Sequence, residues 1–166
     1  MPEVTATSGG RIRTRLLPQS TNAQYRGSPL SAYFLTLLSV MTIVPGCIHS
    51  FLPDGGAGVI AGLDLGPCGP VIIALFAWAG ATQIVFGITM LLASTRYRSF
   101  VPLVLLLVLL ERGLHALNAW VLKGGVAGHR PPEHYAVLIG LPLVIAALML
   151  SLRERSDSEN LHGARK

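Results

Sequence analysis

The feature that most constrains this chain is a set of long stretches without charged side chains. One of them runs from Pro70 to Ala93 with no Lys, Arg, Asp or Glu. At a rise of 1.5 Å per residue, a helix of this length crosses a hydrocarbon layer of about 30 Å. The stretch is apolar around its whole circumference and lacks the polar face that a water-exposed helix needs. The sequence therefore predicts a transmembrane helix.

Three further stretches are similarly apolar, and the third span alone contains charged residues, Glu111 and Arg112. The predicted spans are 30–48, 70–93, 100–122 and 135–152, and the last is close to the lower limit of about 17 residues for a spanning helix. Charged residues make up 13% of the chain, against about 25% in an ordinary soluble domain. This shortfall argues strongly against a soluble enzyme. We expect an all-α fold, a four-helix transmembrane bundle over residues 29–152.

The Lys and Arg residues between the spans predict the orientation of the bundle, because short basic segments are retained in the cytoplasm. Ten of them fall on one side, in the N-terminal segment, the link between spans two and three, and the C-terminal tail: Arg11, Arg13, Arg15, Arg26, Arg96, Arg98, Arg153, Arg155, Arg165 and Lys166. Only Lys123 and Arg130 fall on the other side. We expect a multi-pass protein of the cytoplasmic membrane with both termini cytoplasmic. The basic excess is interpreted as this topology signal and not as nucleic-acid binding.

The two ends of the chain are polar. Residues 1–28 contain few large apolar side chains, so we expect a disordered basic cytoplasmic segment there, and residues 153–166 are expected to form a solvated cytoplasmic tail. A basic start followed by an apolar stretch and Cys47 also resembles a secretory signal. Cleavage at Cys47 would remove span one, so the mass of the mature protein separates the two interpretations.

Span three contains the most informative polar residues. Glu111, His115 and Asn118 share one helix face, and Arg112 lies about 100° around the helix from Glu111. A central charge costs about 2.5–3.5 kcal/mol on membrane-insertion scales, so these side chains should face the bundle interior and pair. We predict an intramembrane polar site of Glu111, Arg112, His115 and Asn118, joined by Gln83 and His49. The sequence leaves open whether the site binds a ligand or only clamps the helices together.

Span two contributes small residues and one polar side chain. Gly80 and Gly87 allow a neighbouring helix to approach closely. Gln83 lies near the centre of the span, where we expect it to hydrogen-bond to span three.

The histidines and cysteines give weaker indications of a functional site than the polar residues of span three do. His49, His115, His129 and His134 all belong to the predicted outer half, where two imidazoles could ligate a haem iron. No HExxH pattern occurs, and we assign no metal ligands. Cys47 and Cys68 both fall at the predicted outer face, where a disulfide between them and two free thiols are equally compatible with the sequence.

The segments GATQIVFGITMLL, STRYRSF and ERGLHALNAW, in the context of four spans, make residues 30–152 resemble the DoxX-like group of small bacterial membrane proteins. The resemblance implies a four-helix bundle in the cytoplasmic membrane, and some members of that group are similar to subunits of quinone-linked sulfur oxidation. It implies no site residue here, because no catalytic motif is shared.

No motif in the sequence names a reaction. We therefore favour a non-catalytic or accessory membrane protein with a polar site on span three, without a cofactor. A membrane subunit of a redox system that binds quinone or haem is the first alternative, and a small transporter is the second. The expected partners are the lipid bilayer and either other membrane subunits or further copies of the chain.

Overall fold

Four long helices form the part of the chain that the computed structural model describes, residues 17–123 and 131–153. They are α1 (Pro29–Phe51), α2 (Gly69–Thr95), α3 (Val101–Leu117) and α4 (Pro132–Leu152). No strand occurs in these described ranges. Each helical stretch is long and apolar enough to cross a membrane, which suggests a multi-pass membrane protein. The expected all-α fold with four long apolar helices is thereby confirmed.

The helices extend slightly beyond the predicted spans. Helix α1 continues through Pro45 to Phe51, and α4 begins at Pro132, where a proline without an N–H fits the first turn. Glu133 follows in that first turn, where the helix dipole favours a carboxylate. Helix α3 continues into one π-helical turn over Asn118–Leu122. The helical part of the chain therefore reaches Leu122, as predicted, although its last turn is wider than an α-helical turn.

Helices α1 and α2 pack against each other through glycines. A Cβ added to Gly80 would lie 2.6 Å from the carbonyl oxygen of Gly46, and one added to Gly87 would lie 2.5 Å from Cγ1 of Ile43. Both distances are shorter than atoms tolerate, so only glycine permits the approach. Close packing through small residues is typical of helices in membranes.

The two ends of the bundle differ. At the terminal end, α1 and α3 begin and α2 and α4 end; at the loop end, residues 52–68 join α1 to α2. The buried apolar core lies in the half nearer the terminal end and consists of Ala32, Leu35, Met90, Ala93, Val101, Val104, Leu105, Val108, Val144 and Ala147. All four helices contribute to it, so the bundle is closed at the terminal end.

Residues 17–28 cover this closed end. The backbone N–H of Thr21 donates to the carbonyl oxygen of Arg96 (3.1 Å), and the N–H of Ser28 donates to the carbonyl oxygen of Leu150 (3.2 Å). The Tyr25 hydroxyl donates to the carbonyl oxygen of Ser28 (3.0 Å), and burial raises the pKa of this phenol. The segment is thus bonded to the α2–α3 link and to the end of α4.

The structure thus gives residues 17–28 defined contacts, whereas the composition of residues 1–28 predicted disorder. Composition did not predict the order of this segment, because its backbone and short polar side chains hydrogen-bond to other elements. The segment contributes little apolar surface of its own. Residues 1–16 and the tail 154–166 lie outside the described residues.

Candidate functional site

The charged part of the candidate site joins α3 to α4. The Nε of Arg112 lies 3.1 Å from Oε2 of its neighbour Glu111, and Nη1 lies 3.7 Å from Oε1 of Glu133 on α4. Nδ1 of His115 lies 4.0 Å from the same oxygen of Glu133. The His115 ring also packs edge-to-face against the His134 ring, with centroids 5.9 Å apart. The guanidinium therefore pairs with two carboxylates, one of them on the neighbouring helix.

A cavity of about 690 Å³ lies beside this cluster, towards the loop end and between the pair α1/α2 and the pair α3/α4. We call it the loop-end cavity. Leu38 and Val144 line its deeper part, and Ile60 and Leu63 of the loop line its other end. Its polar lining consists mainly of His49, Gln83, Arg112, His115, Glu133 and His134. Volume and lining are those of a small-molecule pocket, which is mostly apolar with a few polar groups.

The structure brings four of the six predicted site residues to this cavity: His49, Gln83, Arg112 and His115. Glu111 is not in the lining, and 45% of its side chain is exposed although it pairs with Arg112. Asn118 lies in a second, shallower depression, and its Nδ2 donates to the carbonyl oxygen of Leu114 in its own helix. The structure therefore does not bring Glu111 and Asn118 to the cavity with Arg112 and His115.

His49 is held by the loop. Its Nδ1 lies 2.7 Å from the carbonyl oxygen of Gly55, and its ring meets Phe76 edge-to-face. A carbonyl oxygen only accepts hydrogen bonds, so in the neutral imidazole the proton is on Nδ1. Nε2 is then left as an acceptor on a side chain that lines the cavity.

Gln83 is the polar residue of α2 in the cavity wall. Its Oε1 is buried and accepts no hydrogen bond from any described residue. The expected hydrogen bond to span three is absent, because the loop-end cavity separates α2 from α3 at this level. A buried amide oxygen without a donor is unfavourable by about 1–3 kcal/mol. This makes the position receptive to a bound molecule.

The loop of residues 52–68 is ordered by hydrogen bonds within the loop itself. The Asp54 carboxylate accepts from the backbone N–H groups of Gly56 (2.8 Å), Gly58 (3.1 Å) and Val59 (2.8 Å). These donors, Val59 foremost and then Gly56, hold the pKa of Asp54 below its usual range. Gly55 and Gly56 have φ values of +62° and +75°, a conformation that favours glycine. The turn positions Ile60 and Leu63 over the cavity.

The two cysteines are free thiols in the structure, with Cys47 half-buried and Cys68 exposed. The disulfide alternative is thus not the form that the structure shows. In residues 17–123 and 131–153, no group of three or more His, Cys, Asp or Glu side chains is arranged to hold a metal ion. Of the histidines considered for haem, His129 lies outside the described residues.

Two further residues of the site, Glu133 and His134, were not predicted from the sequence as part of it, and His134 was considered only as a possible haem ligand. The indole Nε1 of Trp120 donates to the carbonyl oxygen of His134 (3.2 Å), and the Trp120 ring packs against Tyr135. These contacts set the first turn of α4 beside the polar part of α3. Only the charge complementarity of Glu133 and Arg112 could have suggested the pairing from the sequence.

No known protein family, curated protein or solved structure matches this chain.

Proposed function

We propose that this chain is a small multi-pass protein of the bacterial cytoplasmic membrane that binds an amphipathic small molecule in its loop-end cavity. It acts as an accessory component and not as an enzyme. One observation carries the proposal: a cavity of about 690 Å³ combines an apolar deeper part with polar groups from all four helices. A molecule with an apolar body and a polar head matches both parts of the lining.

The distribution of charge supports the cytoplasmic placement of the terminal end. The described residues there hold four cations and no Asp or Glu: Arg26, Arg96, Arg98 and Arg153. Cytoplasmic segments of membrane proteins carry such an excess of Arg and Lys. Alkaline phosphatase fused after residue 125 should be active and a fusion after residue 166 inactive; the reverse pattern would contradict this orientation.

Two glycines provide a matched test of ligand binding. Gly140 lines the cavity and Gly113 does not, and a Cβ added at either meets no atom within 4 Å. The leucine side chain of Gly140→Leu should fill part of the cavity. The leucine of Gly113→Leu lies on α3 at a position that does not line the cavity. Both substitutions remove a helical glycine, so both have the same effect on helix propensity.

The measurement is solvent extraction of the purified, detergent-solubilised variants, followed by mass spectrometry of the released organic molecules. Wild type and Gly113→Leu should release the same amphipathic compound, and Gly140→Leu should release at least tenfold less. Equal amounts from the two variants, or no compound from wild type, would refute the proposed function.

A second candidate is a quinone-binding subunit of a redox system. It is favoured by the Arg112 guanidinium, whose N–H groups could donate to a quinone carbonyl at the edge of an apolar cavity. We also propose membership of the DoxX-like group, for which the four apolar helices are the supporting observation. The same extraction tests the quinone candidate, because a quinone would be identified by its mass and its absorbance.

A further inference from the structure

We infer that the molecule in the loop-end cavity is an uncharged amphiphile whose head carries a hydroxyl group, and that Nε2 of His49 accepts a hydrogen bond from this hydroxyl. The inference rests on the proposed function and names the ligand class of that site. Three observations support it: the tautomer of His49, the state of Gln83 and the charge balance around Arg112.

The tautomer of His49 follows from its loop contact. Because Nδ1 lies 2.7 Å from the carbonyl oxygen of Gly55, the neutral ring has its proton on Nδ1 and its lone pair on Nε2. A bound hydroxyl can donate to Nε2. An ether or ester oxygen offers no proton and leaves Nε2 without a partner.

Gln83 adds a second acceptor. Its Oε1 accepts no hydrogen bond within the described part of the chain, although the residue lines the cavity. A buried acceptor without a donor favours a ligand that supplies one. Gln83 and His49 lie on the adjacent helices α2 and α1, so one wall of the cavity presents two acceptors.

The charge balance disfavours an anionic head. Arg112 lies 3.1 Å from a Glu111 oxygen and 3.7 Å from a Glu133 oxygen, so the three groups together carry one negative charge. A carboxylate or phosphate head would approach Glu133, which also lines the cavity, and would compete with it for the guanidinium. Like charges at such distances repel, most strongly where water is scarce.

The test uses three probes with the same alkyl chain: 1-dodecanol, dodecyl methyl ether and dodecanoate at a pH at which it is ionised. The full-length protein is placed in phosphatidylcholine nanodiscs, and the rise in Tm is followed against the mole fraction of each probe, since a ligand stabilises the folded state by mass action. Dodecanol should bind about fivefold more tightly than its methyl ether, the factor for one neutral hydrogen bond. Dodecanoate should bind more weakly than dodecanol.

Two variants separate the acceptor role of His49 from its contact with the loop. His49→Asn keeps a donor near the position of Nδ1 and removes Nε2, so the preference for dodecanol over the ether should fall to about one. His49→Gln keeps an acceptor near the position of Nε2 and loses the contact with Gly55, so the preference should persist while the loop loosens.

The outcomes distinguish the inference from the function on which it rests. Equal binding of the ether and the alcohol, tightest binding of dodecanoate, or an unchanged preference in His49→Asn would overturn the inference and leave a ligand-binding cavity in place. A wild-type protein that none of the three probes stabilises would overturn both.

Discussion

The terminal end and the loop end of the bundle are built from the same four helices but are stabilised in different ways. At the terminal end the four helices meet in an apolar core, in which Leu35, Val101 and Leu105 have no exposed surface. At the loop end the pair α1/α2 stands apart from α3/α4, and a cavity lies between them. The packed core and the proposed ligand-binding cavity thus lie at opposite ends of one short bundle.

The difference follows from the size and chemistry of the residues at each level. Branched apolar side chains fill the space between helices at the terminal end, and their dispersion contacts hold it closed. At the loop end, Gly140 and Ala136 leave room in the cavity wall, while the contacts between α3 and α4 there include ion pairs of Arg112 and His115 with Glu133. Partly exposed ion pairs contribute little free energy, so this end tolerates an open space.

The largest expected effect is the loss of core packing at the terminal end. Leu105→Ala should lower the free energy of unfolding by about 2–5 kcal/mol, because Leu105 has no exposed surface and the truncation leaves a cavity. Leu110→Ala is the matched control on the same helix, since 55% of Leu110 is exposed. Both values can be measured by steric trapping in a bilayer mimetic. Equal losses would show that the terminal end is no better packed than the surface.

A smaller effect is expected from the charged cluster at the loop end. Glu133→Gln removes the carboxylate that faces Arg112 and His115, and it should lower the free energy of unfolding by about 1 kcal/mol or less, as for other partly exposed pairs. Glu133→Gln should have a larger effect on the affinity for the proposed ligand than on the free energy of unfolding, because Glu133 lines the cavity. A loss of stability as large as that of Leu105→Ala would contradict the comparison.

The smallest effect concerns the loop and depends on pH. The pKa of Asp54 is lowered in the folded state by the N–H groups of Val59, Gly56 and Gly58. Its stabilisation is therefore fully present above the unfolded pKa of about 3.9 and is lost as pH falls through the lower, folded value. Hydrogen exchange of the Val59 amide, corrected for the intrinsic rate, should show protection that decreases below about pH 4.

Asp54→Asn should show lower protection at Val59 that no longer changes over the same pH range. Asp64→Asn is the control, because Asp64 accepts only from Gly66 (3.2 Å) within its loop. The acid-dependent change should survive in that control. If Asp54→Asn has the same pH profile as the wild type, the Asp54 carboxylate does not stabilise the loop.

Much of the architecture could be predicted from the sequence, because a long apolar stretch has few alternatives to a helix that buries it. The number of helices was correct, and the predicted spans differ from the helices by a few residues at most. The close contact that Gly80 and Gly87 make with α1 was also anticipated from residue size. The order within residues 17–28 was missed, since it depends on backbone bonds to Arg96 and Leu150 that are distant in sequence.

The polar site was predicted only in part. The sequence by itself determined that Arg112 and His115 lie within a long apolar helix, where charged side chains need partners, because helical rise and hydropathy are local properties. Only the tertiary structure decided which partners they have. The axial offset between α3 and α4 brings Glu133 to Arg112, and the separation of the two helix pairs leaves Gln83 beside a cavity. Both depend on how side chains of different helices interlock, and no periodicity within one helix encodes that.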